Sequence, residues 1–212
     1  MARKTKEDTE QTYTALLDAA EQVFFDKGVS RTTLSDIASA AGLTRGAIYW
    51  HFKDKAALLH ALFARAMLPM EAMLAEIMLC SDGDPMGALR HLCIHALTML
   101  ARSPRQQRTM SILFHKCEST GDVADVMQQE LANRDECLAE FEVILHKAVA
   151  QGQLPEDTDV FLSMQAVHSF MVGTMHEWLL DPGRYALDKA APAMVDMVMA
   201  GLRGNPPRIS AS

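Results

Sequence analysis

The 212-residue sequence lacks the signatures that mark most enzymes and most exported chains. It has no G-x-S-x-G elbow, no Walker loop, no H-E-x-x-H and no G-x-G-x-x-G, so acyl-transfer, nucleotide, zinc-protease and dinucleotide chemistries have no motif behind them. Glu140 and Glu142 are two residues apart and fall on different sides of a helix, which excludes them as a working carboxylate pair. Catalysis is therefore not expected, and neither is a cofactor. The four cysteines, Cys80, Cys93, Cys117 and Cys137, form no C-x-x-C pair and are expected as reduced thiols. The beginning MARKTKEDTE has no apolar h-region. No uninterrupted apolar run approaches the roughly 20 residues that span a bilayer. A cytoplasmic chain without a membrane partner is the expectation. Sustained two-residue alternation and Asn-Gly turns are also missing, so no strand is expected.

What the sequence does have is apolar mass and helical periodicity. Apolar residues make up 49% and charged residues 22%, enough for a true core. The net charge of -7 is unevenly placed. Residues 1–60 hold eight Lys/Arg against eight Asp/Glu, and the remaining 12 cations and 19 anions carry the whole -7. A polyanion partner would meet the N-terminal part. Residues 9–27 place Tyr13, Leu16, Leu17, Ala20, Val23 and Phe24 at three- and four-residue steps, with Gly28 as the stop. Thr33 with Asp36 reads as a capping box, Gly42 as a break, and Thr44 as a second cap opening a short helix to His51. Further helices are predicted over 55–79, 85–102, 104–118, 122–151, 156–180 and 186–202, with a frayed tail. The fold class is all-α, with nine helices. Residues 1–54 are expected to form a small helix-turn-helix domain, continuous with a larger helical body over residues 55–212.

The stretch LTRGAIYWHFKDK, Leu43 to Lys55, gathers aromatic and cationic side chains in an otherwise acidic protein. On a short helix, Ile48 and Phe52 face the core while Arg45, Gly46 and Ala47 open its first turn. Arg45 suits a guanine edge, and Ala47 suits a thymine methyl. Tyr49, Trp50 and His51 can donate to phosphate oxygens, as can Lys53 and Lys55 at the next helix start. Thr32, Thr33 and Ser35 offer hydroxyls to the opposite strand, and Arg3, Lys4 and Lys6 add a cationic arm. The plainer reading makes the rings core and the lysines solvated. Two capped helices joined by a Gly turn favour DNA.

The segment TTLSDIASAAGLTRGAIYWHFKDKAALLHAL resembles the DNA-binding domain of the TetR family of bacterial repressors. It contains T-x-x-x-I-A-x-x-A-G-x-x-x-x-x-x-Y-x-H-F-x-x-K without a gap. MARKTKE and ILFHKCE further resemble the AcrR-like subgroup, whose members repress multidrug efflux pump operons. The resemblance implies a homodimer on double-stranded operator DNA, released by a small hydrophobic effector bound in the C-terminal body. It implies base recognition by Ser35, Thr44, Arg45, Gly46 and Ala47, and phosphate contact by Thr33, Tyr49, Trp50, His51 and Lys55. Trp50 has an alternative place, packed under Tyr49.

Fourteen of the 15 methionines follow residue 60. Met fills irregular core gaps, and it also adapts to varied apolar ligands. Helical spacing and the resemblance together propose Ala66, Met70, Met73, Leu92, Cys93, Ala96, Met110, Leu113, Phe114, Cys117, Cys137, Phe141, Met164, His168, Met171, Val172 and Met175 as effector-site candidates. His168 would supply a polar contact, its rival role being a core histidine bonded to a carbonyl. His91 and His95 are four apart in HLCIH, but Cys93 lies half a turn away and no carboxylate joins them, so no metal site is expected. Dimerisation is assigned to the last two helices, through Val160, Phe161, Met164, Val167, Phe170, Met171, Gly173 and Thr174, then Met194, Val195, Met197, Val198 and Leu202. The alternative is a soluble small-molecule sensor acting as an activator or a metal-responsive regulator.

Overall fold

A computed structural model describes residues 6–80, 83–117 and 124–209. Among these, α1 is Lys6–Lys27, α2 Leu34–Ala40, α3 Arg45–His51, α4 Lys55–Cys80 and α5 Pro85–Arg102. Then come α6 Pro104–Ser111, a π-helical turn Ile112–Lys116, α7 Ala124–Ala150, α8 Val160–Leu180 and α9 Leu187–Gly204. The described residues hold no strand, only an isolated bridge between Thr158 and Arg208. The expected nine helices are all present. The predicted 104–118 helix differs: it widens into the π turn after Ser111. The start of the predicted 122–151 helix and the cationic arm Arg3 and Lys4 lie outside the described residues.

The chain packs into two compact units, Met1–Met67 with Arg105–Leu131, and Leu68–Pro104 with Ala132–Ser212. The division falls inside α4, next to Pro69, whose missing N–H leaves one carbonyl of that helix without its partner. The described residues 105–117 and 124–131 thus pack with the head. Lys55–Ile77 is long and apolar enough to cross a membrane, which the search for uninterrupted runs passes over. In the first unit, however, its Leu58, Leu59, Leu62 and Phe63 are buried in a core with Leu16, Leu17, Phe24, Ile37, Ile48 and Ile112.

An ionic cluster fastens the first unit's helices. Glu21 of α1 is 2% exposed. It accepts from Arg65 Nη2 at 3.1 Å and from Arg108 Nε at 2.7 Å. Asp18, one turn earlier, accepts from Arg65 Nη1 at 2.8 Å and Arg105 Nη2 at 2.7 Å. Burying a carboxylate this deeply is costly without such partners. Gln106 Nε2 donates to the Ala66 carbonyl at 2.7 Å, and Val29 N to the Lys116 carbonyl at 3.3 Å, completing the attachment of α6 and the π turn.

In the second unit α5 lies along α9. Arg90 bonds both oxygens of Asp196, and Arg102 bonds Asp188. Asp84 caps α5 through Gly87 N at 2.9 Å, with Pro85 in the first turn, as the sequence reading expects. The tail is not frayed up to Ile209. Asp159 N donates to Pro207 O at 2.8 Å, Ile209 N donates to Asp157 O at 2.9 Å, and Arg208 pairs with Asp157.

Candidate nucleic-acid interface

The reading head is built from local hydrogen bonds. Thr33 Oγ1 accepts from Asp36 N at 3.1 Å, and Asp36 Oδ2 accepts from Thr33 N at 2.9 Å, which closes the capping box of α2. The two hydrogen bonds from Thr33, and Lys27 at 3.5 Å, hold the Asp36 carboxyl below its ordinary range. Leu43 N then bonds Ala38 O across Gly42, whose φ of +68 is left-handed and natural for glycine alone. Thr44 Oγ1 accepts from Ala47 N at 3.2 Å and starts α3. Asp54 Oδ1 accepts from Ala57 N at 2.8 Å and starts α4.

Ile48 and Phe52 are buried and fix the inner face of α3. Arg45, Gly46, Tyr49 and Trp50 lie outside, and Ala47 is half-buried. Thr44 is exposed and Ser35 half-buried at the adjoining edge of α2. The Arg45 guanidinium carbon stands 5.4 Å from the Tyr49 ring centroid. A side chain at Gly46 would enter open space, 3.9 Å from Thr44 Oγ1 at its nearest, so the backbone there is accessible to a surface.

Packing bears on four of the expected phosphate contacts. Trp50 does not pack under Tyr49. It is 69% exposed and meets the His51 ring edge-on at 4.6 Å. His51 turns inward, with Nε2 buried and its ring beside Tyr13 and Phe52, because Tyr13 of α1 stacks on Phe52 at 5.2 Å and the imidazole completes that cluster. Its Nε2 therefore does not face a phosphate. Lys55 Nζ donates to the Val29 carbonyl at 3.0 Å, so the ammonium serves the turn after α1. The Thr33 hydroxyl is likewise engaged in the capping box.

The effector-site candidates divide between the units. Ala66, Met110, Leu113, Phe114 and Cys117 belong to the first. In the second, Met70, Leu92, Cys93, Met164 and Met171 are buried, while Met73, Ala96, Phe141, His168, Val172 and Met175 are half-buried. The Cys137 side chain lies outside the described residues. Burial pushes the Cys93 thiol up to about 12. Burial, and Arg134 nearby, hold His168 below its ordinary value and favour neutral imidazole. Two surface depressions in the second unit involve residues outside the effector-site candidates. One of about 460 Å³ is lined by Glu71, Leu74, Ala75 and Glu140. The other, of about 280 Å³, includes Arg134, Leu138, Glu142 and Phe161. Among the described residues no three His, Cys, Asp or Glu gather as a metal site.

A helix-turn-helix head with an outward arginine on its second helix, continuous with a larger helical body, defines the class of one-component transcriptional regulators. The comparisons narrow the class. Residues 16–62 match the model of bacterial regulatory proteins of the tetR family, and residues 84–203 match the C-terminal region of MAATS-type transcriptional repressors. The HTH-type transcriptional regulator TtgR of Pseudomonas putida is 36% identical over 206 residues, covering 97% of this chain and 98% of the relative. The crystal structure of NalD, the secondary repressor of the MexAB-OprM multidrug efflux pump in Pseudomonas aeruginosa, superposes with a TM-score of 0.84 at 32% identity, covering 94% of this chain and all of NalD. SmeT, a multidrug efflux pump repressor of Stenotrophomonas maltophilia, in its complex with triclosan gives 0.79 at 30% identity, covering 95% and 100%. This chain belongs to the TetR family of transcriptional regulators, and its relatives are regulators, not enzymes.

Proposed function

We propose that the protein is a cytoplasmic, homodimeric repressor that binds a palindromic operator, releases it when a small hydrophobic effector binds, and controls a multidrug efflux operon. The observation that carries this reading is α3: a capped helix anchored by Ile48 and Phe52 that presents Arg45 and Gly46 outward with half-buried Ala47 beside them, in a chain similar along its length to efflux-pump repressors. Arg45 reads a guanine, Ala47 a thymine methyl, and Ser35, Thr44 and Gly46 let the two surfaces meet closely. Tyr49 and Trp50 meet phosphates. Thr33, His51 and Lys55 contribute by holding the head's geometry.

Dimerisation has a matching surface. On α8 the exposed positions Leu162, Ala166, Ser169, Gly173 and Leu180 follow one another at helical spacing. On α9 Ala193, Met197, Ala200 and Gly201 do the same. These small and apolar side chains suit close two-fold packing of helices. Val160, Met164, Val167, Met171, Thr174, Val195 and Leu202 are buried within the protomer, so they support these helices from behind. Phe161, Gly173 and Met197 remain from the sequence-based interface set as exposed members, with Phe170, Met194 and Val198 half-buried.

The effector is assigned to Met70, Met73, Phe141, His168, Val172 and Met175 of the second unit. SmeT, similarly built, is known in complex with triclosan. Effector binding works by population shift: it favours a head spacing that does not match the operator. Fluorescence anisotropy on DNA upstream of the protein's own gene, with a panel of hydrophobic antibiotics and dyes, tests the whole reading. Tight, salt-steep binding abolished by one compound is the expected result. Tight binding that no compound disturbs would remove the effector part. Binding no stronger than to unrelated duplex would remove the self-regulating repressor.

A further inference from the structure

We infer that Tyr49 is a positioning residue for Arg45, so that base discrimination by Arg45 depends on the Tyr49 ring as well as on the guanidinium itself. The inference rests on Arg45 being the base reader. Several arginines in this protein are already committed: Arg65, Arg90, Arg102, Arg105 and Arg108 each bond a carboxylate. Arg45 has no ion pair among the described residues, and its guanidinium lies over the Tyr49 ring, 5.4 Å from the centroid. The two residues are four apart on α3, one turn above each other on the same exposed face.

Tyr49 is 46% exposed, so packing alone does not explain a large ring there. The neighbouring aromatic residues Trp50, His51 and Phe52 contact one another or Tyr13, and Tyr49 takes no part in that cluster. Its recorded ring partner is Arg45. A free arginine carries many rotamers, and ordering it on DNA costs entropy. A ring beneath the guanidinium restricts those rotamers beforehand while leaving the N–H donors at the plane's edge available for a bidentate base contact. The hydroxyl of Tyr49 has a separate use, since it can donate to a phosphate. Ring and hydroxyl are thus separable by substitution.

The test begins with full-length wild-type protein selecting a preferred duplex from a randomised pool. Base preference at each position is then measured by competition for wild type, Arg45→Ala, Tyr49→Phe, Tyr49→Leu, Tyr49→Gln and the Arg45→Ala/Tyr49→Leu double variant. Arg45→Ala is expected to lose the preference at one base pair of each half-site. Tyr49→Leu and Tyr49→Gln should weaken discrimination at that same base pair by about two- to five-fold, the range of an exposed cation–π contact. Tyr49→Phe should restore discrimination there while binding all sequences more weakly through the lost hydroxyl. The double variant should discriminate no worse than Arg45→Ala. If Tyr49→Leu and Tyr49→Gln bind every duplex more weakly but keep the wild-type preference at the Arg45 position, the ring does not position Arg45 and the inference is overturned. If Arg45→Ala leaves every preference intact, the assignment of Arg45 as the reader fails, and the inference with it. Circular dichroism on each variant separates unfolding from either outcome, and Gln serves where Leu aggregates.

Discussion

Arg45 and Cys93 show how environment decides what a side chain can do. Arg45 is exposed, bonds no carboxylate among the described residues, and is placed at the open end of a helix. Arg45→Ala should cost roughly 1–3 kcal/mol of operator affinity and relax specificity at one base pair, measured by anisotropy against a matched set of single-site operator variants. Cys93 is the opposite case. Its thiol is buried and held in the neutral form, with a value near 12. Thiolate is the reactive species, so native protein at pH 8 should leave Cys93 unmodified by iodoacetamide, while denatured protein is alkylated there. Peptide mass mapping of the two samples reads this directly, and rapid native labelling of Cys93 would contradict its burial. The outward place of Arg45 follows from local helix spacing, whereas the burial of Cys93 depends on distant packing.

At the scale of elements, the head depends on two kinds of bond. The capping box of α2 is local. Thr33→Ala should lower stability by about 1 kcal/mol at neutral pH. The Asp36 carboxyl is depressed below its ordinary 3.8 in the folded state, so its contribution is present above 3.8 and is lost as pH falls below that value through the folded one. Urea titrations at pH 7 and pH 3 should therefore find the wild-type and Thr33→Ala midpoints closer together at the lower pH. The second kind is long-range. Glu21 on α1 receives arginines from α4 and α6. Glu21→Ala leaves those cations facing a buried gap and should cost about 3 kcal/mol, the lower end of the range for breaking a buried pair, because Asp18 still holds Arg65 and Arg105. A chemical melt placing the variant within about 0.5 kcal/mol of wild type, the scale of a surface ion pair, would show that the cluster is incidental.

For the whole molecule, the exposed stripe on α8 and α9 gives the clearest lever. A side chain added at Gly173 meets nothing within 4 Å in the protomer. Gly173→Arg should leave the protomer folded yet place a charge in the proposed two-fold interface. Analytical ultracentrifugation at micromolar concentration should find a monomer, with operator affinity reduced because one head then binds alone. A dimer of unchanged strength would move the interface elsewhere.

The sequence by itself determined the helices and their punctuation. Thr33, Gly42, Thr44, Asp54 and Asp84 act on neighbours three to five residues away, and such bonds follow from residue type and spacing. The all-α class, the turn between α2 and α3 and the outward Arg45 were legible for the same reason. Tertiary structure decided what depends on distant partners. Lys55 turns to Val29, 26 residues away, and Arg105 and Arg108 reach α1 across 87. His51 turns inward because Tyr13 waits on another helix. Along α8, which is apolar nearly all round, periodicity cannot tell the face that meets its own core from the face left for a partner. Only packing separates buried Met164 and Val167 from exposed Leu162 and Gly173, because burial is set by the neighbours a folded chain brings and not by the residues themselves.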